Sequence, residues 1–169
     1  DRGDQEDDGR TAALIAVSNE AGPVSRVLEG PWADWLRWSE PVPDTFLNTS
    51  VGPSYSRGED ARRATVMLET RQSHANRNGA LHGGFLAAFA DHAYFAALAA
   101  IGRPEQAAAV TVDLSMQYCG SGEIGKPLRA DVEVLQETGR MFFMRLTVHQ
   151  DDRMVAASSA TVRKVPAPK

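Results

Sequence analysis

The sequence has few cysteines and no surplus of positive charge, and both shortages exclude classes of protein. A single cysteine, Cys119, occurs in 169 residues, which excludes an intramolecular disulfide and a zinc site built from cysteines. This usage favours a reducing, cytoplasmic setting. Acidic residues outnumber basic ones by 22 to 18, whereas a nucleic-acid-binding surface requires clustered lysine and arginine. We therefore expect no nucleic-acid partner.

The chain also lacks the short motifs of several large enzyme classes. It has no phosphate-binding glycine loop followed by lysine, no GxSxG nucleophile elbow and no pair of histidines at metal-ligand spacing. Gly79, Gly83 and Gly84 are too loosely arranged for a dinucleotide fingerprint and close no βαβ unit. We therefore expect neither a metal ion nor a cofactor.

Two segments precede the main domain. The first begins with DRGDQEDDGR, in which five acidic residues outnumber two arginines. Too little apolar surface is present to offset the entropy lost on ordering, so we predict a flexible acidic leader over residues 1–22. Its acidic start also differs from that of a secretory signal. The second segment, residues 23–47, is predicted to be a helical extension, because Trp32, Trp35 and Trp38 recur at a spacing of three.

The stretch from Gly83 to Gly102 is apolar and rich in alanine, yet it carries Asp91 near its centre. Its length approaches that of a membrane span. Asp91 and His92 at its middle would make insertion costly, since a charged residue there opposes it by roughly 2.5–3.5 kcal/mol. A helix that is apolar on nearly every side is otherwise a core helix. We therefore predict a buried central helix and no membrane partner.

Strand patterns occur on both sides of this helix. One precedes it at residues 63–73, and four follow it, separated by short turns that make the last strands antiparallel neighbours. In the first of these four, strict alternation places Val110, Val112, Leu114, Met116 and Tyr118 on one face. Since a helix that is apolar all round has to be wrapped, a curved antiparallel sheet around one central helix is the economical arrangement. We predict this α+β hotdog fold for residues 48–165, with residues 48–60 as a loop.

The position of Asp91 needs an explanation, because an ionised carboxylate is costly to bury unless it is paired or hydrogen-bonded. Gly84 lies seven residues earlier, about 20° away around the helix axis. The small residues between them leave room for a ligand, and Tyr94 and Phe95 continue the same face. Two interpretations remain open from these residues. Asp91 belongs to an acyl-transfer site, or it pairs with an arginine or caps a neighbouring loop.

The start of the helix supplies hydrogen-bond donors. If the helix begins near His82, the amides of Gly83 and Gly84 are among its unpaired first-turn donors, and they favour a developing negative charge. A glycine pair that merely opens a helix is the simpler alternative, and Asn76 alone would be an ordinary turn residue. His82 and Asp91 are nine residues apart and so lie on opposite sides of the helix. This spacing argues against a His–Asp dyad within one subunit and favours a capping or positioning role for His82.

A family resemblance is carried by the segment HANRNGALHGGFLAAFADHAYFAALA and the following AVTVDLSMQY. Together they resemble the hotdog-fold acyl-CoA thioesterases of the phenylacetic-acid-degradation and thioesterase-superfamily-member-2 group. The family pattern of an asparagine, a glycine, an HGG triplet and an aspartate falls here on Asn76, Gly79, residues 82–84 and Asp91. The resemblance covers residues 63–164 and leaves the leader and the extension outside it.

The resemblance implies hydrolysis of acyl-CoA and a role for each matching residue. Asp91 is implied to be a general base or a nucleophile, and the Gly83 amide, together with Gly84, polarises the thioester carbonyl. Asn76 orients the water or the thioester, and Thr111 places a hydroxyl beside the aspartate. Because family sites form across a dimer interface, a homodimer is implied, and a homotetramer built from two such dimers is expected.

The acyl chain is left open by the sequence. Aromatic and medium-chain acids both suit a substrate-binding region edged by Phe85, Tyr94 and Phe95, with His82 and Gly84 near the thioester. Two other functions compete with hydrolysis: a hotdog dehydratase acting on hydroxyacyl thioesters, and a non-catalytic acyl-CoA-binding domain. The dehydratase would need a histidine base with a carboxylate from the partner subunit.

Overall fold

The computed structural model describes residues 23–166, so the predicted leader over residues 1–22 lies outside the described residues. Within them the chain forms one long helix and one antiparallel sheet. The helix is α1 (Gly83–Ala100), and the strands are β1 (Val24–Arg26), β2 (Leu36–Trp38), β3 (Ser54–Gly58), β4 (Arg63–Leu68), β5 (Val110–Tyr118), β6 (Leu128–Glu137), β7 (Met141–Gln150) and β8 (Arg153–Arg163). The central helix and the five strands predicted around it are confirmed.

The eight strands form one sheet in the order β1-β2-β3-β4-β6-β7-β8-β5, and each neighbouring pair is antiparallel. The buried residues of α1 share a single apolar cluster with the inward-facing side chains of β4, β6, β7 and β8. By length and hydropathy α1 could cross a membrane, but 61% of its residues are buried inside the protein. The helix is therefore the core of the domain, and the α+β hotdog prediction is confirmed.

The predicted helical extension over residues 23–47 is wrong, since this segment adds the short strands β1 and β2 to the sheet. Between them the chain turns through Gly30 and Asp34, whose φ angles of 87° and 69° are left-handed. Trp32 stacks on Tyr55 of β3 with ring centroids 4.6 Å apart, while Trp38 is buried in β2. Trp35 packs edge-on against Trp32 with centroids 5.2 Å apart. Two of the tryptophans thus pack together and Trp38 packs elsewhere, so the three do not form one helical stripe.

Residues 48–60 were predicted to be a loop, and this prediction is also wrong. The segment Leu47–Val51 is a single π-helical turn, and Ser54–Gly58 is strand β3. A Cβ atom on Gly58 would lie 2.5 Å from the backbone oxygen of Ala100 at the end of α1. The glycine is therefore required by the close approach of β3 to the helix.

Strand β5 departs from the predicted strict alternation because it contains a β-bulge. Its register with β8 shifts between Thr111 and Asp113, which leaves Val112 as the extra residue. Thr111 pairs with buried Val162, and Leu114 pairs with buried Ala160. Because directly opposed residues share a face, the bulge turns Thr111 inward to the same side as Leu114. The predicted grouping of Val110 and Val112 with Leu114 is therefore wrong.

Candidate active site

The start of α1 is fixed by a side-chain cap. His82 is the N-cap residue, and its Nδ1 accepts a hydrogen bond of 2.9 Å from the Gly84 amide. Among the described residues, no protein group accepts from the Gly83 amide. The Tyr118 hydroxyl donates to the Gly83 carbonyl oxygen at 3.0 Å. The cap thus uses the predicted Gly84 donor and leaves the Gly83 amide for a ligand, and His82 has the capping role that its spacing favoured.

Asn76 shapes the loop that leads into the helix. Its Oδ1 accepts hydrogen bonds from the backbone amides of Asn78 and Ala80, at 2.8 and 3.1 Å. Gly79 adopts a φ angle of 79° in the same turn, a conformation that glycine takes without strain. Within the described part of the chain, the Nδ2 group of Asn76 makes no hydrogen bond. It is therefore free to contact a water molecule or a substrate.

Asp91 lies half-buried at the centre of α1. Its Oδ1 accepts a hydrogen bond of 2.6 Å from the Thr111 hydroxyl, the short distance expected of a bond to a carboxylate. No lysine or arginine among residues 23–166 forms a salt bridge with it. Of the two sequence-based interpretations, the arginine-paired acid therefore has no support here. The β5 bulge brings Thr111 into place beside the carboxylate.

A cavity of about 630 Å³ opens beside Asp91, within the usual range for small-molecule sites. Its helical wall is one stripe of α1 at spacings of three and four residues. Its other walls come from β5, from the segment before it and from the N-terminal extension. The lining residues of α1 are Ala88, Asp91, His92 and Phe95, and those of β5 are Val110 and Thr111.

A larger cavity of about 1010 Å³ shares Ala109 and Val110 with this one and is also lined by Arg140 and Arg163. None of the predicted site residues lines it. An acyl-transfer reaction requires a group that can accept a proton or attack a carbonyl. The smaller of these two cavities contains Asp91, whose carboxylate is held by the Thr111 hydroxyl, and the predicted residue Phe95 also lines it. We therefore place the candidate site there.

His92 is a site residue that the sequence analysis did not identify. Its Nε2 lies 2.6 Å from the hydroxyl of Ser54, and its ring packs edge-on against Trp38 with centroids 5.1 Å apart. Burial lowers the pKa of His92 to about 4, so the imidazole is neutral at physiological pH. Its partners lie in β2 and β3, two of the three strands that the sequence did not predict. In the sequence, the one indication that His92 belongs to the site was its position next to Asp91.

The predicted substrate contacts divide into two groups. Phe95 lines the cavity. Tyr94 is fully buried and donates a hydrogen bond of 3.0 Å to Ser158, and burial raises the pKa of its hydroxyl to about 12. Phe85 is buried against the His74 ring at a centroid distance of 3.8 Å. Phe85 and Tyr94 therefore belong to the core of this subunit, and the cavity brings together Phe95, Asp91 and Thr111.

The carboxylate and the free amide are well separated within one subunit. Gly83 and Asp91 are eight residues apart on α1, which corresponds to about 12 Å along the axis. Neither Gly83 nor Asn76 lines the cavity that contains Asp91. One thioester carbonyl cannot contact both groups in the same chain. In addition, the described residues contain no group of three or more histidine, cysteine or acidic side chains that could hold a metal ion.

The sequence and the fold of the chain match those of known proteins. The family model described as "Thioesterase superfamily" matches residues 78–157. The Pseudomonas aeruginosa protein named "Putative esterase PA0474" is 33% identical over 109 residues, which make up 64% of this chain and 81% of that protein. The chain belongs to the thioesterase superfamily, and the resemblance identified from the sequence is confirmed.

Several solved structures share the fold of this chain. The phenylacetic acid degradation protein PaaI of Thermus thermophilus is 26% identical with a TM-score of 0.59, and the match covers 72% of this chain and all of that one. Thioesterase superfamily member 2 of Mus musculus shares the fold at 18% identity and a TM-score of 0.57, over 69% and 83% of the two chains. A hypothetical thioesterase of Streptococcus pneumoniae, crystallised with coenzyme A, shares it at 20% identity and a TM-score of 0.57, over 68% and 91%.

Proposed function

We propose that the protein hydrolyses acyl-CoA thioesters to a free acid and CoA. The observation that carries this proposal is the Asp91 carboxylate, which one hydroxyl holds at 2.6 Å and which borders a cavity large enough for an acyl group. Membership of the thioesterase superfamily supports the reaction type. The binding of coenzyme A by the Streptococcus pneumoniae relative supports the choice of thiol.

Asp91 acts by one of two routes. As a general base it takes a proton from water while the water oxygen attacks the thioester carbonyl carbon. The C–S bond then breaks, the electron pair leaves on sulfur, and the thiolate takes up a proton to give CoA. As a nucleophile the carboxylate oxygen attacks the same carbon, the C–S bond breaks with loss of CoA thiolate, and a mixed anhydride forms. Water then hydrolyses the anhydride, which releases the free acid and restores the Asp91 carboxylate. Mass spectrometry of protein quenched by acid during turnover would find an acyl group on Asp91 in the second route alone.

The oxyanion donor is proposed to come from a second copy of the chain. During attack the carbonyl oxygen gains negative charge, and a backbone amide at a helix N-terminus stabilises it. Because Gly83 is about 12 Å from Asp91 along the helix, Gly83 of the partner subunit would have to supply this amide. Asn76 of the partner subunit would orient the water or the thioester. The proposed enzyme is thus a homodimer at least, and two such dimers would form the expected homotetramer.

A thiol-release assay tests the activity. Purified protein should release free CoA from one or more members of an acyl-CoA panel, and Asp91→Asn protein should not. A binding domain would bind acyl-CoA without releasing thiol. A dehydratase would instead add water to an enoyl-CoA, which is measured as loss of the conjugated double bond. Either outcome would reject the proposal of hydrolysis.

Mixed dimers test the shared site separately. Asn76→Ala and Asp91→Asn are each expected to be inactive, but a dimer with one of each contains one site with both native residues. In an isologous dimer a random mixture then recovers about a quarter of wild-type turnover. If Asn76 and Asp91 of the same chain worked together, mixing would recover nothing. Light scattering that shows an active monomer would also reject the shared site.

A further inference from the structure

The wall of the cavity opposite α1 is built by the N-terminal extension. Trp38 ends β2, and the chain then crosses the cavity before the π-helical turn at Leu47–Val51. The extension contributes a set of lining residues that face the helical stripe of Asp91 and Phe95. These residues are Trp38, Glu40, Thr45, Phe46 and Leu47. The catalytic carboxylate and the extension therefore border one and the same space.

This wall lies outside the residues that the family model matches. The family model begins its match at residue 78. The match with the Thermus thermophilus protein takes in all of that chain but 72% of this one. Asp91 and Thr111 lie within the residues that the family model matches, whereas the extension precedes them. Since one fold hosts different functions through the site built on it, a segment outside the matched residues is suited to selecting the substrate.

The wall is held in place by specific hydrogen bonds. The Asn48 side chain donates to the carbonyl oxygens of Glu40 and Val42, at 2.9 and 2.8 Å, and its Oδ1 accepts from the Glu40 amide at 3.1 Å. The Trp38 indole donates to the Glu40 carboxylate at 3.0 Å. Asn48 itself does not line the cavity. It is therefore a positioning residue for the loop that carries Phe46 and Leu47.

The chemistry of the cavity determines which acyl group it accepts. Phe46 is 67% exposed and offers an aromatic face that a ligand would cover, with Phe95 on the opposite wall. The charged side chains that line the cavity are two carboxylates, Asp91 and Glu40. His92 is neutral because burial lowers its pKa to about 4. An acyl group that ends in a negative charge would be repelled by both carboxylates.

We propose that the segment Trp38–Leu47 is the acyl-selecting wall of the site, and that the site takes a neutral, apolar acyl group packed between Phe46, Leu47 and Phe95. This inference rests on the proposed thioesterase function and specifies its substrate class. Phe46 and Leu47 limit the size of the acyl group, and Asn48 keeps them in position. Glu40 and Asp91 exclude acyl groups that carry a terminal carboxylate.

The test compares acyl-CoA substrates on wild-type protein and on Phe46→Ala and Leu47→Ala proteins. Removing bulk from the wall should raise kcat/KM for bulky acyl groups relative to compact ones about tenfold or more, the size of effect that pocket contacts produce. Asn48→Ala should likewise raise kcat/KM for bulky acyl groups relative to compact ones. Val42→Ala is the matched control, since Val42 lies in the same segment, is 59% exposed and does not line the cavity.

Charge is tested by comparing succinyl-CoA with butyryl-CoA, which have four-carbon acyl groups that differ in the terminal carboxylate. Wild-type protein should prefer butyryl-CoA, and Glu40→Gln should reduce that preference. Thermal unfolding of every variant confirms that each is folded. If the folded variants keep the wild-type preferences for acyl size and charge, the proposal that residues 38–47 select the acyl group is rejected. The proposal of hydrolysis would be unaffected by that result.

Calorimetric binding of the same CoA series separates failure of the wall from failure of the reaction. If wild-type protein binds acyl-CoA without hydrolysing it, the proposed function fails. The proposal about the wall is then tested by comparing Kd for bulky and compact acyl-CoAs. Phe46→Ala protein should bind bulky acyl-CoAs more tightly, relative to compact ones, than wild-type protein does. If wild-type protein neither binds nor hydrolyses any member of the series, both proposals are rejected.

Discussion

The Thr111 hydroxyl donates a hydrogen bond of 2.6 Å to Asp91, and this bond joins the centre of the core helix to the bulged start of β5. Thr111 fixes one carboxylate oxygen and leaves the other without a partner among the described residues. A carboxylate held in this way has a defined orientation while keeping an oxygen for a water molecule or a carbonyl carbon. The hydrogen bond thus orients the Asp91 carboxylate without neutralising its charge.

Asp91→Asn should abolish most of the activity and leave the fold intact. The amide keeps the size of the side chain but can neither accept a proton from water nor attack a carbonyl. Turnover should fall by about 10²–10⁴-fold, as is typical for loss of a general acid or base. Thioesterase rate and melting temperature are measured on one preparation. A large loss of stability, with activity lost only in proportion to the folded protein lost, would instead mark Asp91 as a structural residue.

Thr111→Val should lower kcat roughly tenfold with little change in KM. Valine keeps the shape of threonine but removes the donor, and a hydrogen bond to a charged group contributes about 1.5–3 kcal/mol. The matched control is Thr111→Ser, which retains the hydroxyl and should keep most of the wild-type kcat. If serine and valine reduced kcat equally, packing at Thr111 rather than its hydrogen bond would be responsible.

His92 should make the folded state sensitive to acid. Burial lowers its pKa in the folded protein from 6.5 to about 4, so between these values the unfolded chain binds the proton more tightly. Stability is therefore fully present above about pH 6.5 and is lost as the pH falls toward 4, by on the order of 3 kcal/mol. Burial also lowers the pKa of His74, which adds a contribution of the same sign.

Urea unfolding of wild-type and His92→Gln proteins across pH 4–7 measures this linkage. The glutamine variant should show a smaller decrease in unfolding free energy over the range, because one buried titrating group has been removed. Val66→Ala serves as the control, since Val66 is fully buried and does not titrate. That variant should be less stable at every pH while keeping the wild-type slope. An unchanged slope in His92→Gln protein would contradict the assignment.

Gly58→Ala should destabilise the domain without touching the site. The added Cβ would lie 2.5 Å from the Ala100 backbone oxygen, and the backbone of α1 would have to move. Overpacking of this kind costs about 1–3 kcal/mol, which denaturant unfolding can measure. Gly139→Ala is the control, because a Cβ there meets no atom within 4 Å. Equal stability of the two variants would show that β3 can shift away from the helix.

The sequence predicted the parts of the fold that have a long, uniform pattern. The helix Gly83–Ala100 is apolar on nearly all sides, and the strands after it are nine to eleven residues long. Asp91 and the HGG triplet were identified because an acid in such a helix and free amides at its start need explanations. The contact between Asp91 and Thr111 depended on family resemblance, since strict alternation alone would not reveal the bulge at Val112.

The sequence could not predict the elements that are too short to show a period. Strands β1 and β2 have three residues each, and three tryptophans at a spacing of three imitate a helical stripe. Strand β3 occurs in a segment rich in glycine and serine, which is typical of a loop. Because β2 and β3 were not predicted, neither the partners of His92 nor the wall around Phe46 could be predicted. These features arise from contacts between residues far apart in the chain, such as Ser54 and His92.

The two edges of the sheet differ in a way that limits how copies of the chain can join. In the sheet formed by residues 23–166, β5 is the strand at one edge, with nine residues and with Val110 and Val112 exposed, whereas the strand at the other edge, β1, has three residues that follow Pro23. An exposed long strand is a template for another strand, and a very short one is not. If a second copy paired along β5, each outer edge of the combined sheet would be a β1 strand, which is too short to pair with a further copy. For the sheet that residues 23–166 form, growth would then stop at two copies, so the edge that favours pairing gives no route to a fibre.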